Sequence, residues 1–354
     1  MDEVKVVEQF ANKKKDPVLI TFLLGNGFDL NLGMKTEYKD VYDQYIKEET
    51  ASEVIKKFKE SLKNDKKHKY KNWSDFEIGM ANYAKTLSSE NELIECVRDF
   101  KTCMVKHLRK EEKKAQNFFN NEYNWKMLEE FNNSLLNFYV KLSPNVVNEI
   151  SILTIPENKD YRYITFNYTK TLEFMLEKKP KSHNSLIHIH GDLENDVVMG
   201  VDNLEQLKGL NYSVTRRGQR NFVKTLFNEQ YDKLRVEKAK QTILNSSVIC
   251  VYGFSFGESD KFWTDLLAEW LSKNPHNHLV VYQYDTRIYN RYNYDEIMET
   301  EDYKKEALMT RLGINNAFFD QIHIPIGTNI FNLGKVENKE ISSVSINKEQ
   351  GVLV

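Results

Sequence analysis

The chain is poor in cysteine. It has three in 354 residues, Cys96, Cys103 and Cys250, and no two of them form a CxxC pair. That spacing argues against a structural zinc site and against a disulfide framework. Cys96 and Cys103 stand seven apart on a predicted helix and share its apolar face, and Cys250 lies in a predicted strand. All three read as small core residues. An excess of one charge is also lacking: 50 Lys and Arg against 52 Asp and Glu leave a net charge of −2. The global basic field of a general nucleic-acid binder is therefore absent, and nucleic acid is a disfavoured partner. The lysine-rich run from Lys56 to Lys71 is interleaved with Glu60 and Asp65 and reads as a solvated helix face and loop. No apolar run approaches the length of a membrane span, and the opening MDEVKVVEQFANKKKD has no apolar signal region. A reduced, cytoplasmic protein that does not enter a membrane is expected. There is no internal repeat and no low-complexity linker.

What is present is enough for a substantial core: 40% hydrophobic residues, with 19 Tyr, 20 Phe and 4 Trp. The negative mean hydropathy therefore reflects a charged surface rather than disorder. The most informative stretch is an apolar strand, residues 18–24, running straight into Gly25-Asn26-Gly27-Phe28-Asp29-Leu30-Asn31-Leu32-Gly33. A buried parallel strand ending in Gly-x-Gly is where an α/β protein lets backbone N–H groups approach a phosphate. The third glycine of the dehydrogenase fingerprint would fall at Leu30; here it is Gly33. By itself this loop is equally well a plain strand-to-helix turn.

Further strands are expected at 149–154, 161–166, 185–189, 247–252 and 278–284, with a last one near 321–326. Several are continuous apolar runs, as a sheet buried on both faces requires. Residues 36–145 read as helical. Leu93, Val97, Phe100, Met104 and Leu108 repeat at helical spacing behind a capping box of Ser89 and Glu92. Other helices are expected near 124–141, after Gln219 and over about 259–273. The pattern predicts an α/β core with a mostly parallel sheet, built from 1–35 and 146–335. Residues 36–145 would be a helical insertion subdomain covering the site, and 336–354 a C-terminal tail.

Polar clusters recur after successive strands, where an open α/β sheet binds its ligands. Asn167 in Thr165-Phe166-Asn167-Tyr168-Thr169 is a turn residue or a site residue, with Thr169 a helix cap. His188 and His190 alternate along a strand and would share a face, as a hydrogen-bonded interior pair or as an acid–base or metal pair. Asp192 is the only close carboxylate, which makes a metal the lesser reading. In Gly253-Phe254-Ser255-Phe256-Gly257-Glu258-Ser259-Asp260, Ser255 and the glycines can face a phosphate, while Ser259 caps the helix and Asp260 meets its dipole. In Asn72-Trp73-Ser74-Asp75-Phe76-Glu77, Trp73 packs, and Asp75 and Glu77 read first as ordinary surface charges, with a site role the lesser reading. Arg216-Arg217-Gly218-Gln219-Arg220 is a phosphate contact or a solvated loop.

Taken in order, these segments carry a resemblance. Gly25, Gly27 and Gly33 have the glycine spacing of the sirtuin NAD loop, Asn167 resembles the Asn of the sirtuin Thr-Gln-Asn-Ile-Asp segment, His190-Gly191 its His-Gly, and Gly253-Phe254-Ser255 its Gly-Thr-Ser. More specifically, GNGFDLNLG, NWSDFE, TFNYT, HIHGD and GFSFGESD together resemble the AbiH family of phage abortive-infection proteins, over about residues 18–285. The resemblance implies a sirtuin-like Rossmann variant that binds NAD and hydrolyses it to nicotinamide and ADP-ribose. It implies Asn167 and His190 as catalytic residues, with His190 taking a proton. It implies Gly25, Asn26, Gly27, Gly33, Gly253 and Ser255 at the pyrophosphate or ribose, and Asp29 at the nicotinamide ribose. No metal is implied; a phage-encoded trigger and a homo-oligomer are the expected partners. The four-cysteine zinc module and the Pro-Asp-Phe-Arg segment of sirtuin deacetylases are missing, with Met34-Lys35-Thr36-Glu37-Tyr38 in place of the latter. Tyr168-Thr169 stands where Ile-Asp follows the sirtuin Asn. Deacetylation is therefore not expected. The alternatives are a nucleotide-binding sensor or scaffold without NAD turnover, and a nucleic-acid effector using the histidines and Arg216–Arg220.

Overall fold

The computed structural model describes residues 18–69, 71, 75–120, 124–153, 159–178, 185–283 and 294–336. Asn72, Trp73, Ser74 and most of the predicted tail lie outside these. Six strands form one sheet: β1 (Val18–Leu24), β2 (Lys159–Thr165), β3 (Ser185–His188), β4 (Val248–Tyr252), β5 (His278–Tyr282) and β6 (Ile322–His323). The helices in chain order are α1 (Gly27–Asn31), α2 (Tyr38–Tyr45), α3 (Glu53–Lys67), α4 (Phe76–Ala84), α5 (Glu90–Phe119), α6 (Trp125–Asn137) and α7 (Pro144–Leu153). They continue with α8 (Thr171–Glu177), α9 (Arg216–Phe222), α10 (Lys224–Tyr231), α11 (Lys233–Leu244), α12 (Lys261–Lys273) and α13 (Tyr294–Leu312).

The strand order is β3-β2-β1-β4-β5-β6, and every pairing is parallel. This is the order of a doubly wound sheet, in which the chain winds outward from β1 to one edge and returns to β4 on the other side. The apolar runs explain why both faces are covered. In β1, Ile20, Phe22 and Leu24 join one core with Tyr163, Cys250, Val280 and Phe131, while Leu23 joins another with Ile164, Val251, Trp263 and Trp270. A period of two thus distributes one continuous run between two helical layers. Phe22 is almost fully buried, stacked on Tyr163 at 5.5 Å and edge-on to Phe138 at 5.4 Å. Burial of such a ring stabilises by about 1.5–3 kcal/mol.

The helices between residues 36 and 145 divide between two cores. α2, α3, α4 and the first half of α5 enclose Tyr42, Phe58, Phe76 and Phe100 together with Leu193, Val197 and Phe222. Ala115 and Phe119 of α5, with Met127, Phe131 and Leu135 of α6, pack on the sheet. At about 1.5 Å per residue, the 30-residue α5 is long enough to serve both. Its predicted start is seen: the Ser89 hydroxyl accepts from Glu92 N–H, although the Glu92 carboxylate turns to Ser88 N–H instead of Ser89.

One predicted strand is a helix. Residues 149–153 belong to α7, and residue 154 lies outside the described residues. Pro144 opens α7, where its missing N–H costs nothing, and Val146 and Ile150 turn inward one helical turn apart. The β-branched residues suggested a strand, but their spacing of four serves a helix.

Candidate functional site

The register builds the site. Leu24 pairs with Thr165 on one side and with Tyr252 on the other, and Thr165 pairs with His188. Four strands therefore end at one level, and the next residue of each (Gly25, Phe166, Ile189 and Gly253) emerges along one edge. The crevice between β1 and β4, where the winding reverses, is the binding position of such sheets. A cavity of about 670 Å³ opens there, ample for a nucleotide-sized ligand. Gly25, Asn26, Gly27, Asp29, Asn167, His190, Gly253 and Ser255 all line it. Gly33 does not. With φ +79° and its N–H on Leu30 O at 2.9 Å, it terminates α1.

The glycine turn serves a close approach of two loops. A Cβ on Gly25 would lie 2.5 Å from Gly253 O, and one on Gly27 2.6 Å from Gly253 Cα. The two loops are joined by Gly25 N–H to Tyr252 O at 3.0 Å and Gly27 N–H to Gly253 O at 2.9 Å, and Phe28 N–H closes on Gly25 O at 2.9 Å. These three donors are thus already given to the chain. Asn26 is exposed and clasps Thr36, accepting from its hydroxyl at 2.6 Å and donating to its carbonyl at 3.1 Å. Ser255 is exposed at the mouth, its carbonyl held by Arg311 at 3.0 Å.

Deeper in the crevice the polar groups are buried. Asp29 is 1% exposed; its Oδ2 accepts from the Thr169 hydroxyl at 2.5 Å, and its Oδ1 has no partner. Thr169 is thus a ligand of Asp29 rather than the cap of α8, which begins after Lys170 without a side-chain cap. Burial raises Asp29 to about 7, against the hydrogen bonds of Thr169, Asn167 and Thr171. Asn167 is buried too, and its Oδ1 is likewise unpartnered. Behind it, His188 Nδ1 lies 3.1 Å from the Asn167 carbonyl oxygen.

His188 and His190 do not share a face. β3 ends at His188, so strand alternation does not extend to His190. His188 Nε2 is 3.3 Å from Glu173 of α8, whereas His190 Nε2 lies 3.0 Å from Asp260 Oδ1, without hydrogen-bond alignment. Phe166 meets the His190 ring edge-on at 5.6 Å and stacks on Phe254 at 4.2 Å, so an aromatic wall borders the histidine.

A buried ionic network extends from Asp260. Lys224 Nζ is 2.9 Å from Asp260 Oδ1, 2.9 Å from Ser259 O and 3.6 Å from Glu77 Oε1, and Glu77 accepts from Tyr38 OH at 2.8 Å. Burial alone would discharge these groups; their mutual attraction holds Lys224 well above and Asp260 well below the ordinary range. Burial outweighs Lys224 at Glu77, which rises to about 7. Burial and then Lys224 hold His190 below the usual imidazole value.

Two further expectations from the sequence do not hold. Glu77 is a buried member of the site, not a surface charge, because α4 turns that face under the sheet edge. Ser259 does not cap α12; its carbonyl holds Lys224, and Asp202 Oδ1 accepts from Phe262 N–H in the first turn of α12. Lys224, Tyr38 and Tyr168 line the cavity and were not expected there. The available signal for Lys224 was a single charge in the apolar run Phe222-Val223-Lys224-Thr225-Leu226-Phe227. Arg216, Arg217 and Arg220 sit on α9, outside this cavity.

Five carboxyl groups (Asp29, Glu37, Asp75, Glu77 and Asp260) line the cavity against two ammonium groups (Lys39 and Lys224); in the buried part Asp260 is paired with Lys224, while Asp29 and Glu77 are raised to about 7. Among the described residues, no group of His, Cys, Asp and Glu is arranged to hold a metal ion, and no helix is long and apolar enough to cross a membrane. Fold and crevice together define a doubly wound α/β protein with a polar-lined cavity at its switch point. Within that class the chain belongs to the family described as bacteriophage abortive infection AbiH, whose model matches residues 21–284. A comparison with curated proteins finds no match.

Proposed function

We propose that this chain acts in abortive infection as an NAD glycohydrolase with a sirtuin-like site, releasing nicotinamide and ADP-ribose. The observation that carries the reading is that Asn167, His190 and Asp29 line one cavity beside the Gly25–Gly27 turn, at the switch point of a parallel sheet. The deep end fits the nicotinamide riboside part. Asp29 Oδ1 and Asn167 Oδ1 are buried acceptors without partners, suited to sugar hydroxyls, and Phe166 and Phe254 offer an aromatic wall to a flat ring. In hydrolysis the C1′–N bond breaks with its electron pair leaving on nicotinamide, water supplies the new C1′–O bond, and a group in the crevice takes the water proton. The diphosphate would lie toward the mouth, near Ser255 and Lys39, because the N–H groups of Gly25, Gly27 and Phe28 are engaged.

The test is nicotinamide release from NAD by the purified chain, with and without extract of phage-infected cells. Asn167→Ala and His190→Ala are each expected to lower release by about 100-fold or more. They should also abolish protection of cells against phage. Absence of release in every state, with both variants still protective, overturns the reading. The engaged glycine N–H groups favour one alternative, a sensor that binds a nucleotide without turning it over. Tight ADP-ribose binding with no nicotinamide release would select it.

A further inference from the structure

We propose that Asp260 and Lys224 are positioning residues for His190: Asp260 keeps the ring proton on Nε2, which leaves Nδ1 as the accepting nitrogen, and Lys224 holds the Asp260 carboxylate in place. The inference rests on the reading above in taking His190 as the group that receives the water proton; the arrangement itself does not depend on NAD. Both residues stand against local preference. Asp260 occupies the N-cap position of α12, where an aspartate ordinarily accepts from a free N–H of the first turn, yet it makes no cap bond. Asp202 accepts from Phe262 N–H in its stead. The freed carboxylate puts one oxygen, Oδ1, 3.0 Å from His190 Nε2 and 2.9 Å from Lys224 Nζ. Lys224 is the first residue of α10, where a cation opposes the helix dipole. Its buried ammonium is taken up by Asp260, by Ser259 O at 2.9 Å and by Glu77 at 3.6 Å, so it acts through Asp260 rather than on a ligand. His190 is fixed from its backbone. Its carbonyl accepts from Val198 N–H at 2.8 Å, and Gly191 follows at φ +75°, where a Cβ would lie 1.7 Å from Asp196 O. An ionised carboxylate only accepts, and at 3.0 Å a ring lone pair would repel it, so Nε2 carries the proton.

Where NAD is cleaved, water forms the C1′–O bond, the C1′–N electron pair leaves with nicotinamide, and the water proton passes to His190 Nδ1 and then to solvent. Asp260 stabilises the imidazolium so formed. Burial opposes ionisation of Asp260, but Lys224 and then His190 outweigh it. Lys224 has a second effect. Together with burial it keeps the resting ring unprotonated, so the base is available near neutral pH. The charged groups facing the ring are Lys224 of α10, Asp260 and Arg235 of α11; Arg235 also opposes protonation. Glu77 of α4 and Asp202 act on Lys224 and Asp260.

The experiment is nitrogen NMR of the full chain, isotope-labelled at its histidines, followed from acid to alkaline pH. The His190 signals are those lost in His190→Gln. The wild type should show a neutral ring protonated at Nε2 from pH 6.5 to pH 8.5. Lys224→Met should raise the His190 midpoint above that of an exposed imidazole, about 6.5, because the carboxylate then acts without its cation. Asp260→Asn should lower it below the wild type, because Lys224 and Arg235 then act alone. A mere loosening of the fold would move both midpoints toward the exposed value and could produce neither result. Nicotinamide release by Lys224→Met should fall about tenfold from pH 8.5 to pH 6.5 at unchanged KM, against less than about threefold in the wild type. A wild-type ring protonated at Nδ1, or midpoints that move the same way in the two variants, overturns the proposal and leaves the glycohydrolase standing. Where Lys224→Met does not fold, a midpoint in Asp260→Asn at or above that of the wild type overturns it. Opposite shifts with no nicotinamide release in any state support the positioning and remove the glycohydrolase.

Discussion

His190 and His278 are buried at opposite edges of one parallel sheet, and each faces an acid. At the carboxyl edge, His190 meets Asp260, which is joined to Lys224 and through it to Glu77. At the amino edge, His278 Nδ1 is 3.1 Å from His323 Nε2, and His278 Nε2 is 3.5 Å from Glu149, which is half-exposed. The first cluster contains a cation between carboxylates and borders a cavity. The second sets imidazole against imidazole, and burial, opposed only in part by Glu149, holds His278 below the usual imidazole value. Burial, then His278 and Lys305, push His323 down to about 3. A buried histidine therefore marks a site only where fixed charges and open acceptors surround it; the amino-edge pair is a core feature with a pH cost.

Breaking the carboxyl-edge network should have the largest effect. Lys224→Met leaves Asp260 buried without its cation, and a loss of about 3–5 kcal/mol in urea unfolding at pH 8 is expected. The loss should be smaller at pH 6, where Glu77 takes a proton more readily. Adding Asp260→Asn to Lys224→Met should recover most of it. A loss below about 1 kcal/mol would mean that the network carries no electrostatic weight, and the contrast between the two edges would fall.

The second prediction has the opposite sign. Asp29 is raised from 3.8 in the unfolded chain to about 7 in the fold. Its burial therefore lowers stability as pH rises from about 4 to 7, and the deficit is complete above that range. Asp29→Asn should stabilise the chain by roughly 2–4 kcal/mol at pH 8 and by almost nothing at pH 4. Thermal unfolding at the two pH values measures this. A group held at such a cost, and more stable when replaced, behaves as a functional residue.

The sequence showed the frame of the site better than its chemistry. β1 was legible at 18–24 because a buried parallel strand is a continuous apolar run, and the segments after successive strands were legible because parallel topology brings strand ends to one edge. Asn167 and His190, each just past the end of a strand, therefore meet on one cavity as their positions predict. The ionic network was not legible. Glu77 and Lys224 are far apart in sequence, and each looked like one more charge in a chain with 102 charged side chains, 50 basic and 52 acidic. Only the tertiary fold, which brings Lys224 Nζ at the start of α10 to 3.6 Å from Glu77 Oε1 in α4, gives them low exposure and a partner. The use of the glycines was half legible. Small residues were needed at Gly25 and Gly27, but the neighbour they admit is the backbone of Gly253. Residues 149–153 are helical despite the β-branched Ile150 and Ile152, because the inward spacing of Val146 and Ile150 outweighs local propensity.

The smallest expected effect lies at the amino edge and sharpens the comparison by reversing the direction of pH dependence. His323 titrates near 6.5 when unfolded and near 3 when folded. Between those values the unfolded chain binds the proton that the folded chain refuses, so stability falls as the medium is acidified below about 6.5. One such histidine gives a slope of about 1.4 kcal/mol per pH unit. His278, also lowered by burial, adds to the same branch. His323→Gln keeps a neutral hydrogen-bonding group next to His278 and removes one titration. The variant should match the wild type within about 1 kcal/mol at pH 7.5 and lose about 1.4 kcal/mol less between pH 6 and pH 5, measured by urea unfolding. Ribosyl binding at the other edge should not change, because the amino-edge pair lines no part of the crevice. If acid sensitivity survives His323→Gln but disappears in His190→Gln, the titrating histidine is in the crevice, and the roles assigned to the two edges must be exchanged.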